Sequence, residues 1–325
     1  MSPREDGGPP FVSTGGLPPH GAVDDLVARA HEIFRACDEG APSSVYPALA
    51  GADPSLFGLC VLEVDGTAHA AGDADHPFPI MSVAKPFSFA LACQAHGVDA
   101  ARRLIGTNAT GLPFNSIEAI ERAPGGRTNP MVNPGAIATV SWSADEWEPV
   151  RAGLSAFAGR ELKLDDAVFG SAAATNHVNR SAVNLLHARG LLGCDPDLAL
   201  DLYTRQSCLT VTARDLATMG ATLADGGVNP VTGERVVTSE VCHAVLAVML
   251  TAGLYEESGD WLYDVGQPGK SGIGGGIVTV SPGKGALGAF SPPLDGAGNS
   301  VRGGKAARFL SRGLGLDLLA SAPVR

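Results

Sequence analysis

The chain has 325 residues, and 45% of them are hydrophobic, enough for a substantial core in one large domain or two interlocked ones. With 34 acidic residues against 23 basic ones, the formal net charge of -11 leaves no basic footprint for nucleic acid or an anionic membrane. The six cysteines are scattered, with no Cys-x-x-Cys pair and no histidine at zinc-ligand spacing, which argues for buried free thiols in a reducing cytosol.

In chain order, residues 1–21 are rich in Pro and Gly and lack the apolar core of a signal peptide, so a disordered arm is expected there. Val23, Leu26, Val27, Ala30, Ile33 and Phe34 follow a helical period, and Asp24 and Asp25 favour that helix's N-terminus. Pro42 and Pro47 then break the chain. Residues 57–64 read as a buried strand, and Asp65-Gly66 is a hairpin signal into residues 67–71. Residues 98–250 are mostly helical in pattern, with 182–191, 209–223 and 239–250 the clearest helices and 225–230 a turn. After Lys270 the texture becomes Gly-rich strand at 276–280 and 286–290, and a helix over 299–312 closes the chain. No stretch approaches the ~20 apolar residues of a membrane span, so a soluble, cytoplasmic protein is expected.

Strands at both ends with helices between them predict an α+β fold in which an antiparallel sheet is flanked by helices and interrupted by a helical insertion. The expected division is a sheet subdomain from residues 22–97 and 265–325, with a mainly helical subdomain at 98–264.

Between the N-terminal strands and the first helix of the insertion lies Pro79-Ile80-Met81-Ser82-Val83-Ala84-Lys85-Pro86-Phe87. On a helix, residues three apart share a face, so Ser82 and Lys85 can meet. A serine hydroxyl becomes a useful nucleophile when a neighbour takes its proton, and a lysine does so only when neutral, which requires an apolar setting or nearby positive charge. Ile80, Met81, Val83, Phe87 and Phe89 offer that setting. A surface helix start capped by Ser82 is the alternative for so short a motif. Pro86 disfavours α geometry at Lys85 and cannot bond back to the Ser82 carbonyl, so an adjusted helix start is expected. Far along the chain, Lys270-Ser271-Gly272 supplies the motif that accompanies Ser-x-x-Lys in β-lactamases and penicillin-binding proteins.

Longer passages carry a more specific resemblance. Thr128-Asn129-Pro130-Met131-Val132-Asn133-Pro134-Gly135-Ala136-Ile137, residues 228–235, Lys270-Ser271-Gly272-Ile273-Gly274-Gly275-Gly276-Ile277, residues 290–295 and residues 299–303 resemble, in order, the serine-dependent glutaminases of β-lactamase-like fold. The likeness runs from about residue 40 to 316. It implies hydrolysis of a glutamine side-chain amide through a serine acyl-enzyme, with no metal or organic cofactor, in a homodimer or homotetramer acting on a small-molecule amide. By the same likeness Ser82 is the nucleophile, Lys85 its base, and Tyr255 the tyrosine at the reacting end. The backbone N–H groups of Ser82 and Ile273 form the oxyanion hole. Asn133, Asn179 and Tyr203 match the residues that hold the α-amino and α-carboxylate end.

Two departures bear on substrate choice. The family carries a glutamate seven residues before the asparagine matched by Asn179, and Ala172 stands there. A tyrosine in a Tyr-x-Pro context aligns with Val45, while Tyr46 is its neighbour. The chemistry-bearing residues are intact and the ammonium-recognising part is altered. The alternative functions are therefore an amidase or acyl transferase on a glutamine-like amide lacking a free α-ammonium, a β-lactamase or transpeptidase, and a non-catalytic ligand-binding relative.

Overall fold

The computed structural model describes residues 16–143 and 145–321. The first helix, His20–Phe34, begins ahead of Val23, inside the stretch expected to be an arm; residues 1–15 of that stretch lie outside the described residues.

Eight strands, numbered in chain order, form two sheets. The larger is antiparallel, in the order β2 (Ala68–Gly72), β1 (Gly58–Glu63), β8 (Gly285–Phe290), β7 (Gly276–Ser281) and β6 (Gly269–Ser271). The two ends of the chain thus share one sheet, and the intervening chain is mostly helical. Strand alternation divides β1 cleanly. Leu59 and Val61 join Val23, Val27, Ala30, Ala306 and Leu310 under the first helix and the last, Val301–Gly313. Cys60 and Leu62 point the other way, to Ala217 and Ala221 of the helix Ala213–Ala224. That helix lies almost flush on the sheet because β8 carries Gly288, where a Cβ would sit 2.0 Å from the Ala213 carbonyl oxygen.

Three short strands, β3 (Phe78–Pro79), β5 (Leu209–Val211) and β4 (Lys163–Leu164), make the second sheet in that order. Here the expected helix over 209–223 is corrected. Leu209–Val211 is a strand paired on both sides, and the helix starts only at Ala213. Thr212 stops the strand and caps the helix: its hydroxyl accepts from the Asp215 N–H, and the Asp215 carboxylate accepts from the Thr212 N–H at 2.8 Å.

From β3 the chain enters the helix Ala84–His96, buried along most of its length against the helices Asn133–Ser143 and Ser239–Ala252. Pro86 falls in the first turn of this helix, where a missing N–H has no intrahelical partner to lose. Ser82 therefore sits in a separate 3-10 turn, Met81–Val83, just ahead of it.

Candidate active site

A cavity of about 110 Å³ opens where the 3-10 turn, the loop after β6 and four helices of the insertion converge. Ser82, Asn133, Asn179, Tyr203 and Ile273 all line it. The larger groove between the first and last helices has no serine, threonine or cysteine on its wall.

The turn that presents Ser82 is strained. Met81 (φ 48°) and Tyr255 (φ 60°) are the only residues other than glycine with left-handed backbones among those described, and both belong to this site. Such conformations cost of order 1–3 kcal/mol and persist where surrounding structure enforces them. For Tyr255 the enforcement is visible: the Ser258 hydroxyl donates to the Tyr255 carbonyl at 2.8 Å and accepts from the Leu254 N–H at 3.1 Å. The loop after β6 presses against the Ser82 turn. A Cβ on Gly272 would lie 3.1 Å from the Ser82 nitrogen, so a bare backbone at this position lets Ile273 and Ser82 come together on one wall.

Behind Ser82 lie two buried amines and a tyrosine. Lys85 is 1% exposed; its Nζ donates to Asn133 Oδ1 at 2.7 Å and to the Met131 carbonyl at 3.2 Å. No carboxylate compensates it, and desolvation brings its pKa down to about 7. Lys270 is fully buried, with its Nζ donating to the Ser271 carbonyl at 2.7 Å and standing 3.9 Å over the Tyr255 ring. Burial first, and then the charge of Lys85, hold its pKa well below the ordinary lysine range. Tyr255 donates to the same carbonyl at 3.2 Å. Burial pushes its hydroxyl up to about 12, against the lowering effect of the nearby Ser82 and Ser271 oxygens.

The expected direct Ser82–Lys85 contact is modified accordingly. Lys85 bonds to Asn133 and Met131, and Ser82 sits in a 3-10 turn ahead of the helix that carries Lys85.

Opposite Ser82 runs a row of amides. Asn133 Nδ2 donates to Asn179 Oδ1 at 2.9 Å, Asn179 Nδ2 donates to Asn176 Oδ1, and Asn176 Nδ2 donates to Thr204 Oγ1 at 2.9 Å. Thr204 in turn donates to the Leu200 carbonyl at 2.7 Å. Asn176 was not singled out in the sequence, although it precedes Asn179 by three residues at the junction of the helices Asp166–Thr175 and His177–Ala188. Tyr203 is buried beside this row, and desolvation raises its pKa well above the ordinary tyrosine value. Val45 and Tyr46 both reach the cavity wall, so the shifted tyrosine is at the site. Ala172 is buried among Leu49, Met81, Val168 and Cys208, an apolar cluster against which Ile273 and Tyr46 pack.

Known proteins resemble the chain over nearly its whole length. The family model described as "Glutaminase" matches residues 40–319. Glutaminase 2 of Yersinia pestis is 60% identical over 318 residues, covering 96% of this chain and 94% of its own. The glutaminase of Bordetella avium (strain 197N) is 47% identical over 302 residues, 91% and 96% of the two chains. Among solved structures, the probable glutaminase ybaS superposes with a TM-score of 0.90 at 41% identity, covering 93% of this chain and 99% of that one. Mglu in its glutamate form does so at 0.85 and 36%, covering 93% and 71%.

Proposed function

The chain belongs to the glutaminase family, and from that premise we propose that its hydrolysis of glutamine to glutamate and ammonia runs through Ser82 as nucleophile and Lys85 as base. The α+β, β-lactamase-like fold is the family's own. The observation that carries the assignment of roles is Lys85: a fully buried amine with no counter-ion, one helical turn from a serine that faces the cavity. Such a lysine is neutral for a large share of the time near pH 7, as a base must be.

In this reading the Ser82 hydroxyl attacks the carboxamide carbon and its proton passes to Lys85. The N–H groups of Ser82 and Ile273 hold the oxyanion of the tetrahedral intermediate. As the carbon–nitrogen bond breaks, the Tyr255 hydroxyl delivers a proton to the departing ammonia and is reprotonated from Lys85. Water then attacks the acyl-enzyme, giving a proton to Lys85, which returns it to the departing Ser82 oxygen as glutamate is released. Tyr255 suits a relay and not a base, because a hydroxyl with a pKa near 12 remains protonated between turnovers. Asn133, Asn179 and Tyr203 orient the far end of the substrate, in line with the glutamate form of the similar Mglu.

Ser82→Ala tests the assignment. It is expected to reduce glutamine turnover by at least about a thousandfold while leaving the thermal transition unchanged, since only one hydroxyl is lost. Retention of ordinary activity by that variant would sink the nucleophile. We further infer a homodimer or homotetramer in the cytoplasm, on the resemblance to relatives; a monomer in velocity sedimentation contradicts the oligomer. Among the described residues no helix is long and apolar enough to cross a membrane.

A further inference from the structure

We propose that Glu257 and Asn299 are positioning residues for the proton step at the leaving group. Together they fix Tyr255 against the strand that carries Lys270 and leads to Ile273. The proposal rests on the reading of Tyr255 as the proton relay given above and concerns what aims that hydroxyl.

A closed ring of contacts starts and ends at the Tyr255 turn. The Tyr255 hydroxyl donates to the Ser271 carbonyl at 3.2 Å and Lys270 Nζ donates to the same oxygen at 2.7 Å, so both of its lone pairs are taken. The Ser271 hydroxyl donates to Asn299 Oδ1, and Asn299 Nδ2 donates to Glu257 Oε2 at 2.7 Å. Glu257 stands two residues after Tyr255, at the end of the 3-10 turn Tyr255–Glu257. Ser271 is therefore held by its carbonyl and by its side chain from one and the same turn. Both Ser271 and Asn299 are buried.

The direction of this bridge follows from its last member. A carboxylate accepts and does not donate, so Asn299 must offer it the NH₂ group, which leaves the amide oxygen for the Ser271 hydroxyl. Asn299 is itself clamped by its backbone: its N–H donates to Asp295 Oδ1, and its carbonyl accepts from the Asp295 N–H, both at 2.9 Å.

The turn anchored in this way is the strained one, since Tyr255 has a left-handed backbone that persists only where its surroundings enforce it. The Ser258 bonds close the turn on itself, whereas the bridge through Asn299 ties it to β6. Glu257 also occupies the N-cap position of the helix Ser258–Val265, yet its side chain makes no capping bond there and reaches Asn299 instead. Burial, and then the charge of Asp295, raise its carboxyl above the ordinary range, against the pull of the Asn299 bond. The carboxylate is thus kept in place at a cost.

The test compares kcat/KM of the protein for L-glutamine and for the γ-(S-ethyl) thioester of L-glutamate. Both substrates form the same acyl-enzyme on Ser82, but ammonia must be protonated to leave and a thiolate need not be. Glu257→Ala is expected to lower the glutamine value by about tenfold or more and the thioester value by no more than about threefold. Glu257→Gln, whose amide oxygen can accept from Asn299, should recover most of that loss. Equal losses on the two substrates, which a merely structural role would give, overturn the proposal, as do an unchanged glutamine value or a Glu257→Gln variant that recovers nothing. Tyr255→Phe, run beside them, should show the same selectivity for the amide. If it does and Glu257→Ala does not, the proposal alone fails; if Tyr255→Phe slows both substrates alike or neither, the relay itself is wrong and the proposal goes with it.

Discussion

Two buried polar clusters in this molecule are built on opposite principles. On the outer strands of the large sheet, His69 is 2% exposed and lies between two carboxylates, with Nδ1 at 2.7 Å from Asp24 Oδ1 and Nε2 at 2.9 Å from Glu63 Oε1. Every polar atom of its ring has a partner, and the partners tie the first helix to β1 and β2. Behind Ser82, Lys85 and Lys270 are at least as buried, both neighbour the Tyr255 ring, and neither has a carboxylate. The first cluster gives each polar ring atom a partner and adds connections between elements. The second keeps two amines short of their charge, which disfavours folding and gives chemistry a base. Polar burial alone does not mark a functional site; polar burial without compensation does.

Replacing Lys85 with methionine should separate these principles most strongly. Loss of a general base typically reduces turnover by ~10²–10⁴-fold. Thermal stability should move the other way or not at all. A folded pKa of about 7 against an unfolded value of ~10.4 means that, between those pH values, the unfolded chain binds a proton the folded one does not. Stability from this group therefore rises with pH through that window, and at pH 7 the buried amine is a burden on the order of 4 kcal/mol. Methionine removes that burden but leaves Asn133 Oδ1 and the Met131 carbonyl without a donor, so a Tm within about 3 °C of the parent, or above it, is expected. The parent's kcat/KM should fall about tenfold per pH unit below about 7, as Lys85 takes up its proton, and that limb should vanish in the variant. A large drop in Tm with activity retained would erase the distinction between the clusters.

Much of this site was legible from spacing, and the remainder depended on contacts that sequence neighbours do not make. Ser82 and Lys85 stand three residues apart and are both at the site, so a local rule found them. The same rule does not show the Lys85 partners, which come from Met131 and Asn133 across the fold, or the 3-10 turn that carries Ser82. Lys270 was visible as half of a motif, but its place over the Tyr255 ring depends on β6 pairing with β7. Asn176 was missed because a single polar residue between two helices carries no periodic signal. In the fold, alternation in β1 and the helical period from Val23 were easy to read, whereas the three-residue strand at Leu209–Val211 merged with the apolar pattern of the helix behind it. A strand that short is defined by its partners, β3 and β4, and not by its own residues.

The smallest effect on activity should come from the balanced cluster. His69→Ala leaves Glu63, buried against the sheet, with only His20 at 3.7 Å, and releases Asp24, which is largely exposed and can return to water. Breaking one side of a buried pair typically costs ~3–5 kcal/mol, and here roughly 2–4 is expected because Asp24 is free to hydrate. In a domain of this size that lowers Tm by roughly 3–6 °C. Turnover measured well below the transition should stay within about twofold of the parent, because His69 lies on the edge strand β2 and contributes nothing to the cavity wall. His69→Gln, which can still hydrogen-bond but carries no charge, separates the two parts of the cluster's contribution. Recovery of most of the lost Tm would make the network chiefly one of hydrogen bonds, and no recovery would make it one of charge. An activity loss that tracks neither variant's stability would mean that the sheet cluster and the site are coupled after all.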